Sequence, residues 1–126
     1  MPLFDPRAVL AAANDDAEFK LAARFWTATL RLEAGDSCYI LDIRDGAMTA
    51  FAPATSSGGS ACDLRIAAPE ADWRELLKPI PRPFYQDLMA ARWRHGVIVE
   101  GDLTAFNPYY RAFSRLIELM RAASAG

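Results

Sequence analysis

Val97-Ile98-Val99-Glu100-Gly101-Asp102 brings a short apolar run to a Gly-Asp turn, and Asn107-Pro108 follows as a helix start. Asn at the cap accepts hydrogen bonds from orphan backbone N–H groups, and Pro tolerates the first helical position. Phe106, Tyr109, Tyr110, Phe113, Leu116, Ile117 and Met120 then recur at helical spacing to about Ala122. Arg111, Ser114, Arg115, Glu118 and Arg121 fall between them. One side of this terminal helix is therefore apolar and unusually aromatic, and the other is wet. Such a stripe needs a dry surface to lie on, and the alternating segments earlier in the chain supply it.

Those segments begin at Thr27, where the period of the sequence changes to two. Ala28, Leu30 and Leu32 alternate with Thr29, Arg31 and Glu33, the pattern of a half-buried strand. Gly35-Asp36 turns the chain, and Tyr39, Leu41 and Ile43 then alternate with Ile40, Asp42 and Arg44. Asp45-Gly46 is the strongest hairpin signal present, because a type I′ turn requires positive φ at both central residues. A return strand runs from Ala47 to Ala52, and a Ser/Gly/Thr-rich loop over 53–60 ends it. A fourth strand places Cys62, Leu64 and Ile66 on one face and Asp63 and Arg65 on the other. Read in order, these four strands make an antiparallel meander with one dry face, and Val97–Glu100 adds a fifth.

Helices flank the strands. Asp5 caps a helix that Pro6 opens and that runs to about Ala13. Asn14, Asp15 and Asp16 interrupt it and start a second, to about Phe25, with Phe19, Leu21, Ala22, Phe25 and Trp26 as its core residues. Pro69 opens a helix carrying Trp73, Leu76 and Leu77, and Lys78-Pro79-Ile80-Pro81-Arg82-Pro83 ends it in a stiff, extended corner. Pro83 opens another, with Phe84, Tyr85, Leu88, Met89 and Trp93 as its stripe and Gly96 as its C-cap.

Composition narrows the functional classes. With 126 residues, residues 1–126 make a single domain; 52% are hydrophobic and 24% charged. Net charge −2 and a pI near 5.3 argue against a nucleic-acid surface. No apolar run approaches the ~18 residues of a spanning helix, so stable membrane insertion is not expected. The segment Met1 to Pro6 lacks the basic and apolar regions of a signal peptide, and Cys38 and Cys62 read as two free thiols of a cytoplasmic protein.

The usual chemistry is missing. His95 is the one histidine, and beside Gly96 it reads as a helix C-terminal group. A lone His with two isolated Cys makes no common zinc site, so no metal and no cofactor is expected. No Ser is framed as Gly-x-Ser-x-Gly. Asp42 and Asp63 lie on strands with Arg44 and Arg65 two residues away on the same face, and cross-strand ion pairs on a wet face explain them. What is in surplus is aromatic surface: Phe 7, Tyr 4 and Trp 3, concentrated at 19–26, 73–93 and 106–113. Aromatics between a sheet and its helices either fill a core or line an apolar cavity for a hydrophobic ligand.

The order of N-terminal helices, strands with the Asp45-Gly46 hairpin, the helix Asp72-Trp73-Arg74-Glu75-Leu76-Leu77, the strand ending Val99-Glu100-Gly101-Asp102 and a terminal amphipathic helix resembles the sterol carrier protein type 2 family of lipid-transfer domains. The resemblance spans about residues 15 to 122. It implies an α+β fold: a five-stranded, mainly antiparallel sheet covered on one face by helices and enclosing an apolar cavity. It implies a non-enzymatic carrier for a fatty acid, acyl chain or sterol-like molecule. Carried over by pattern, the tunnel wall draws on Leu41, Ile43, Phe51, Leu77, Phe84, Met89, Phe106, Tyr110, Phe113 and Ile117. Arg92, Arg94 or Arg111 is placed to hold a carboxylate at the mouth. The segment over 79–95 is longer than the simple loop this pattern has there.

Two other readings compete. One is a small enzyme resembling ketosteroid isomerase, with an Asp or Tyr base in an apolar pocket; that fold usually ends in strands. The other is an interaction module in which the aromatic face of the last helix drives homodimerisation.

Overall fold

A computed structural model describes residues 3–54, 62–78, 81, 88–94 and 96–124, with the side chains at 93 and 94 excepted. Five strands form one sheet: β1 Ala28–Ala34, β2 Ser37–Arg44, β3 Ala47–Ala54, β4 Leu64–Ala68 and β5 Ile98–Gly101, in spatial order β3-β2-β1-β4-β5. The helices are α1 Pro6–Asp15, α2 Ala17–Ala22, α3 Glu70–Leu76, α4 Leu88–Arg94, α5 Leu103–Phe106 and α6 Tyr110–Ala122, with a 3₁₀ turn Asn107–Tyr109 between the last two.

Asp45 and Gly46 both have positive φ (50° and 83°), as a tight hairpin demands, and Leu41 lies opposite Phe51 across it. The four-strand meander, however, stops at three. β4 does not follow β3 in space; it pairs parallel with β1, Leu30 opposite Leu64 and Leu32 opposite Ile66. Nine residues separate Ala54 from Leu64, more than the two to five of a hairpin, and a parallel return requires a crossover. β5 then pairs antiparallel with β4, so the sheet is mixed, with three antiparallel pairings and one parallel.

Period-2 alternation sorts the sheet residues as expected. Leu30, Leu32, Leu41, Ile43, Phe51, Leu64 and Ile66 are all buried and join Val9, Phe19, Trp73, Phe113, Leu116 and Met120 in one continuous apolar cluster. The opposite face is polar. There Glu33 accepts from Arg31 (2.7 Å) and Arg65 (2.9 Å), and Arg65 also pairs with Glu100 across β4–β5. Arg65 thus pairs across strands, with Glu33 on β1 and Glu100 on β5.

Long-range polar contacts fix the helices over the dry face. Asn14 does more than interrupt a helix: its amide donates to the Met48 carbonyl (2.8 Å) and accepts from the Met48 N–H (2.9 Å), tying the end of α1 to β3. Trp73 Nε1 donates to the Glu33 carbonyl (2.7 Å), anchoring α3. Arg121 Nε donates to the Leu76 carbonyl (2.7 Å), which joins α6 to the C-terminal end of α3.

Two helix boundaries differ from expectation. The C-terminal helical run starts at Leu103, not Asn107. Asp102 is its cap, with Oδ1 accepting from the Ala105 N–H at 3.0 Å, and Asn107-Pro108 open the 3₁₀ turn between α5 and α6. Helix α2 ends at Ala22, and Phe25 lies beyond it with φ 73°. Leu21 and Phe25, expected in the core, are 68% and 71% exposed, whereas Phe19 and Trp26 are buried. The helix expected from Pro83 is described only over 88–94, and His95 lies outside the described residues.

Candidate functional site

The residues assigned to the tunnel wall come from β2, β3, the end of α3, α4, α5 and α6. Leu41, Ile43, Phe51, Leu77, Phe106, Phe113 and Ile117 belong to the single buried cluster beneath the helices, and Tyr110 packs half-buried against it. Phe106 is the hub on the α6 side, edge-to-face with both Tyr110 (5.9 Å) and Phe113 (5.8 Å). Half-buried Met89 is held nearby, its N–H donating to the Tyr110 hydroxyl at 3.2 Å. Phe84 lies outside the described residues. Of the mouth arginines, Arg111 is exposed and Arg92 half-buried, and the Arg94 side chain is not among those described. At the other end of the sheet Phe4, Tyr39 and Phe51 form an aromatic trio with centroids 5.0 to 6.2 Å apart. Burial raises the affinity of the Tyr39 hydroxyl for its proton, and the repulsive charge of Glu70 adds to that.

A groove of about 250 Å³ opens at the start of β1 and β4, where they meet α5 and the 3₁₀ turn. Trp26 and Phe106, each 3% exposed, form its floor. Tyr109 stacks on Trp26 with centroids 5.2 Å apart and planes 9° from parallel, and Phe25 stands at the rim. Asp63 and Asp102 also line it. Asp63 Oδ2 accepts from the Thr29 N–H at 2.7 Å, and the Asp63 carbonyl accepts from the Asp102 N–H at 3.0 Å. The chains approach so closely that a Cβ on Gly101 (φ 127°) would stand 2.3 Å from the Asp63 carbonyl oxygen. Only glycine meets both conditions.

Phe106 alone of the expected wall residues lines this groove. The others that shape it sit at 25–30, 63–64 and 102–109, three stretches brought together by the parallel β1–β4 pairing. An antiparallel meander would have kept them apart, so the sequence carried no sign that they meet.

Cys38 is buried and Cys62 half-buried, both as free thiols; burial pushes the Cys38 thiol up, away from the reactive thiolate. No group of three or more His, Cys, Asp or Glu among the described residues could hold a metal ion, and no helix among them is long and apolar enough to cross a membrane.

An open mixed sheet of this strand order, dry on one face under N- and C-terminal helices, is the architecture of sterol carrier protein 2. A crystal structure of sterol carrier protein 2 superposes with a TM-score of 0.77 at 23% identity, covering 94% of this chain and 95% of that one. The solution structure of a hypothetical Thermus thermophilus protein that has been related to sterol carrier protein gives 0.76 at 24% identity, covering 100% of this chain and 92% of that one. A ubiquinone synthesis protein with an SCP2 domain gives 0.59 at 17%, covering 91% and 90%. No protein-family model matches the sequence, and no curated protein sequence does. The chain thus has the sterol carrier protein 2 fold. Its sheet is not closed, which sets it apart from the cone-shaped barrel of the ketosteroid isomerase type. The aromatic face of α6, considered above as a dimer surface, is spent on the chain's own core: Phe113 is fully buried.

Proposed function

We propose that this chain is a non-enzymatic carrier for a lipid or other hydrophobic small molecule, of fatty acyl or sterol-like kind. The apolar part of the ligand lies between the dry sheet face and α3, α4 and α6. The observation that supports this most is the shared architecture: near-complete coverage of sterol carrier protein 2 at TM-score 0.77. Seven of the residues proposed for the wall lie in one buried apolar cluster, which is compatible with it. Free thiols suit a reducing, cytoplasmic setting.

The energetics are adequate. Burying an acyl chain of about 14 methylenes yields on the order of 11 kcal/mol at ~0.8 kcal/mol per methylene, and association costs several kcal/mol at least. Micromolar binding follows without a charged anchor, provided the cavity is preformed.

The wall is tested without disturbing the core. Methyl-labelled protein is titrated with stearic acid carrying a nitroxide along its chain, and line broadening is read by NMR. The proposal expects the methyl groups of Leu41, Ile43, Leu77 and Ile117 to broaden first. Saturable uptake that leaves these four sharp would move the site elsewhere.

A further inference from the structure

We infer that the aromatic groove at the start of β1 and β4 binds an alkylammonium group, independently of whether the interior carries a lipid chain. Three features of the groove converge on that chemistry.

Its rim is aromatic. Phe25, 71% exposed, and half-buried Tyr109 present ring surface to the groove over the buried Trp26 and Phe106, and ring faces are electron-rich and attract cations within about 6 Å. Phe25 already does so: the Arg24 guanidinium carbon lies 5.2 Å from its ring centroid. Arg24 is not among the residues that line the groove, and Tyr109, stacked on Trp26 by one face, is the ring left to a ligand.

Both charges in the lining are negative, and among the described residues neither has a counter-ion. Asp16, Glu33, Glu75 and Glu100 each meet an Arg or Lys. Among the described residues, Asp63 and Asp102 meet none within salt-bridge range; one oxygen of each accepts from a backbone N–H, of Thr29 and Ala105. The Asp102 N–H bond to the Asp63 carbonyl and the close approach at Gly101 fix the two backbones against each other, and the Thr29 and Ala105 N–H groups each hold one carboxylate, before any ligand arrives. That is preorganisation, the feature that keeps the cost of binding low.

The volume selects size. About 250 Å³ is less than the ~300–1,000 Å³ of pockets that bury a drug-sized ligand. There is room for a head group or short chain, not for a sterol. An anionic head would meet two carboxylates, and a neutral one would bring no charge to balance theirs. A cation wrapped in methyl or methylene groups satisfies the rings and the acids together.

The test titrates ¹⁵N-labelled protein with hexyltrimethylammonium, 1-hexanol and hexyl sulfate at matched ionic strength. The reporters are the Trp26 indole N–H and the backbone N–H groups of Thr29 and Ala105. The ammonium should give saturable shifts at all three, the alcohol much weaker ones, and the sulfate none. Combining Asp63→Asn with Asp102→Asn keeps the capping amides and removes both charges; it should weaken the ammonium roughly tenfold. Should that variant misfold, Tyr109→Leu is the second probe, expected to erase the preference for ammonium over alcohol. Equal binding of hexanol, unchanged affinity in the charge-free variant, or no saturable shift overturns the proposal. None of these results bears on lipid uptake by the interior.

Discussion

Phe25 carries two costs at once. Its backbone is left-handed (φ 73°), worth roughly 1–2 kcal/mol against a residue with a Cβ, and its ring is 71% exposed. Strain of this kind concentrates where a cleft has work to do, and Phe25 lines the groove. Replacing it by Gly removes the Cβ clash and the contact with Arg24. We expect Phe25→Gly to raise stability by about 0.5–1 kcal/mol, read from the urea midpoint, because relief of strain outweighs one exposed cation–π contact. A drop in midpoint would contradict that balance. The sequence misplaced this residue for a clear reason: Leu21 and Phe25 stand one helical turn apart and look like a core stripe. Nothing in a Phe side chain announces positive φ. Trp26, the next residue, is the one that turns inward.

The N- and C-terminal helices are clasped by Asp16 and Arg115. Asp16 accepts from Arg115 Nε at 3.0 Å and Nη2 at 2.8 Å while capping α2 through the Phe19 N–H at 2.8 Å. The Arg115 bonds, followed by the cap, hold the Asp16 carboxyl at about 2, below its usual 3.8. A carboxyl depressed in the folded state stabilises above its unfolded pKa, and that contribution is lost as pH falls through the folded value. Asp16→Asn keeps the cap but loses the charge. The stability gap between wild type and variant should therefore hold above about pH 4 and shrink towards pH 2. A gap that stays constant over that window would mean the ion pair adds nothing beyond the cap. Asp16 was legible as a cap from its place after Asn14-Asp15; its partner, 99 residues away, was not. The same division runs through the sheet. Asp45-Gly46 specified its hairpin because the turn is encoded in two adjacent residues. The parallel placement of β4 depends on a crossover that alternating Leu64 and Ile66 cannot encode, since either neighbour would bury the same face.

Across the whole molecule, one side of an open sheet is dry and roofed by helices, and the other carries a charge network centred on Glu33. Arg65 and then Arg31 hold the Glu33 carboxyl below its usual range. This division explains why the fold was readable from hydrophobic order while the groove was not. The dry face follows from alternation along single strands, whereas the groove exists only once β1, β4 and α5 have met. The account's central claim is that the dry side is built to hold a hydrophobic guest, and it is tested most directly by native mass spectrometry of the purified protein with solvent extraction of whatever accompanies it. The account predicts a non-covalent adduct of defined mass that extracts as a lipid, or stoichiometric uptake of an added fatty acid or sterol by the delipidated protein. A bare chain mass, with no uptake of either, would contradict it and leave the interior as a filled core.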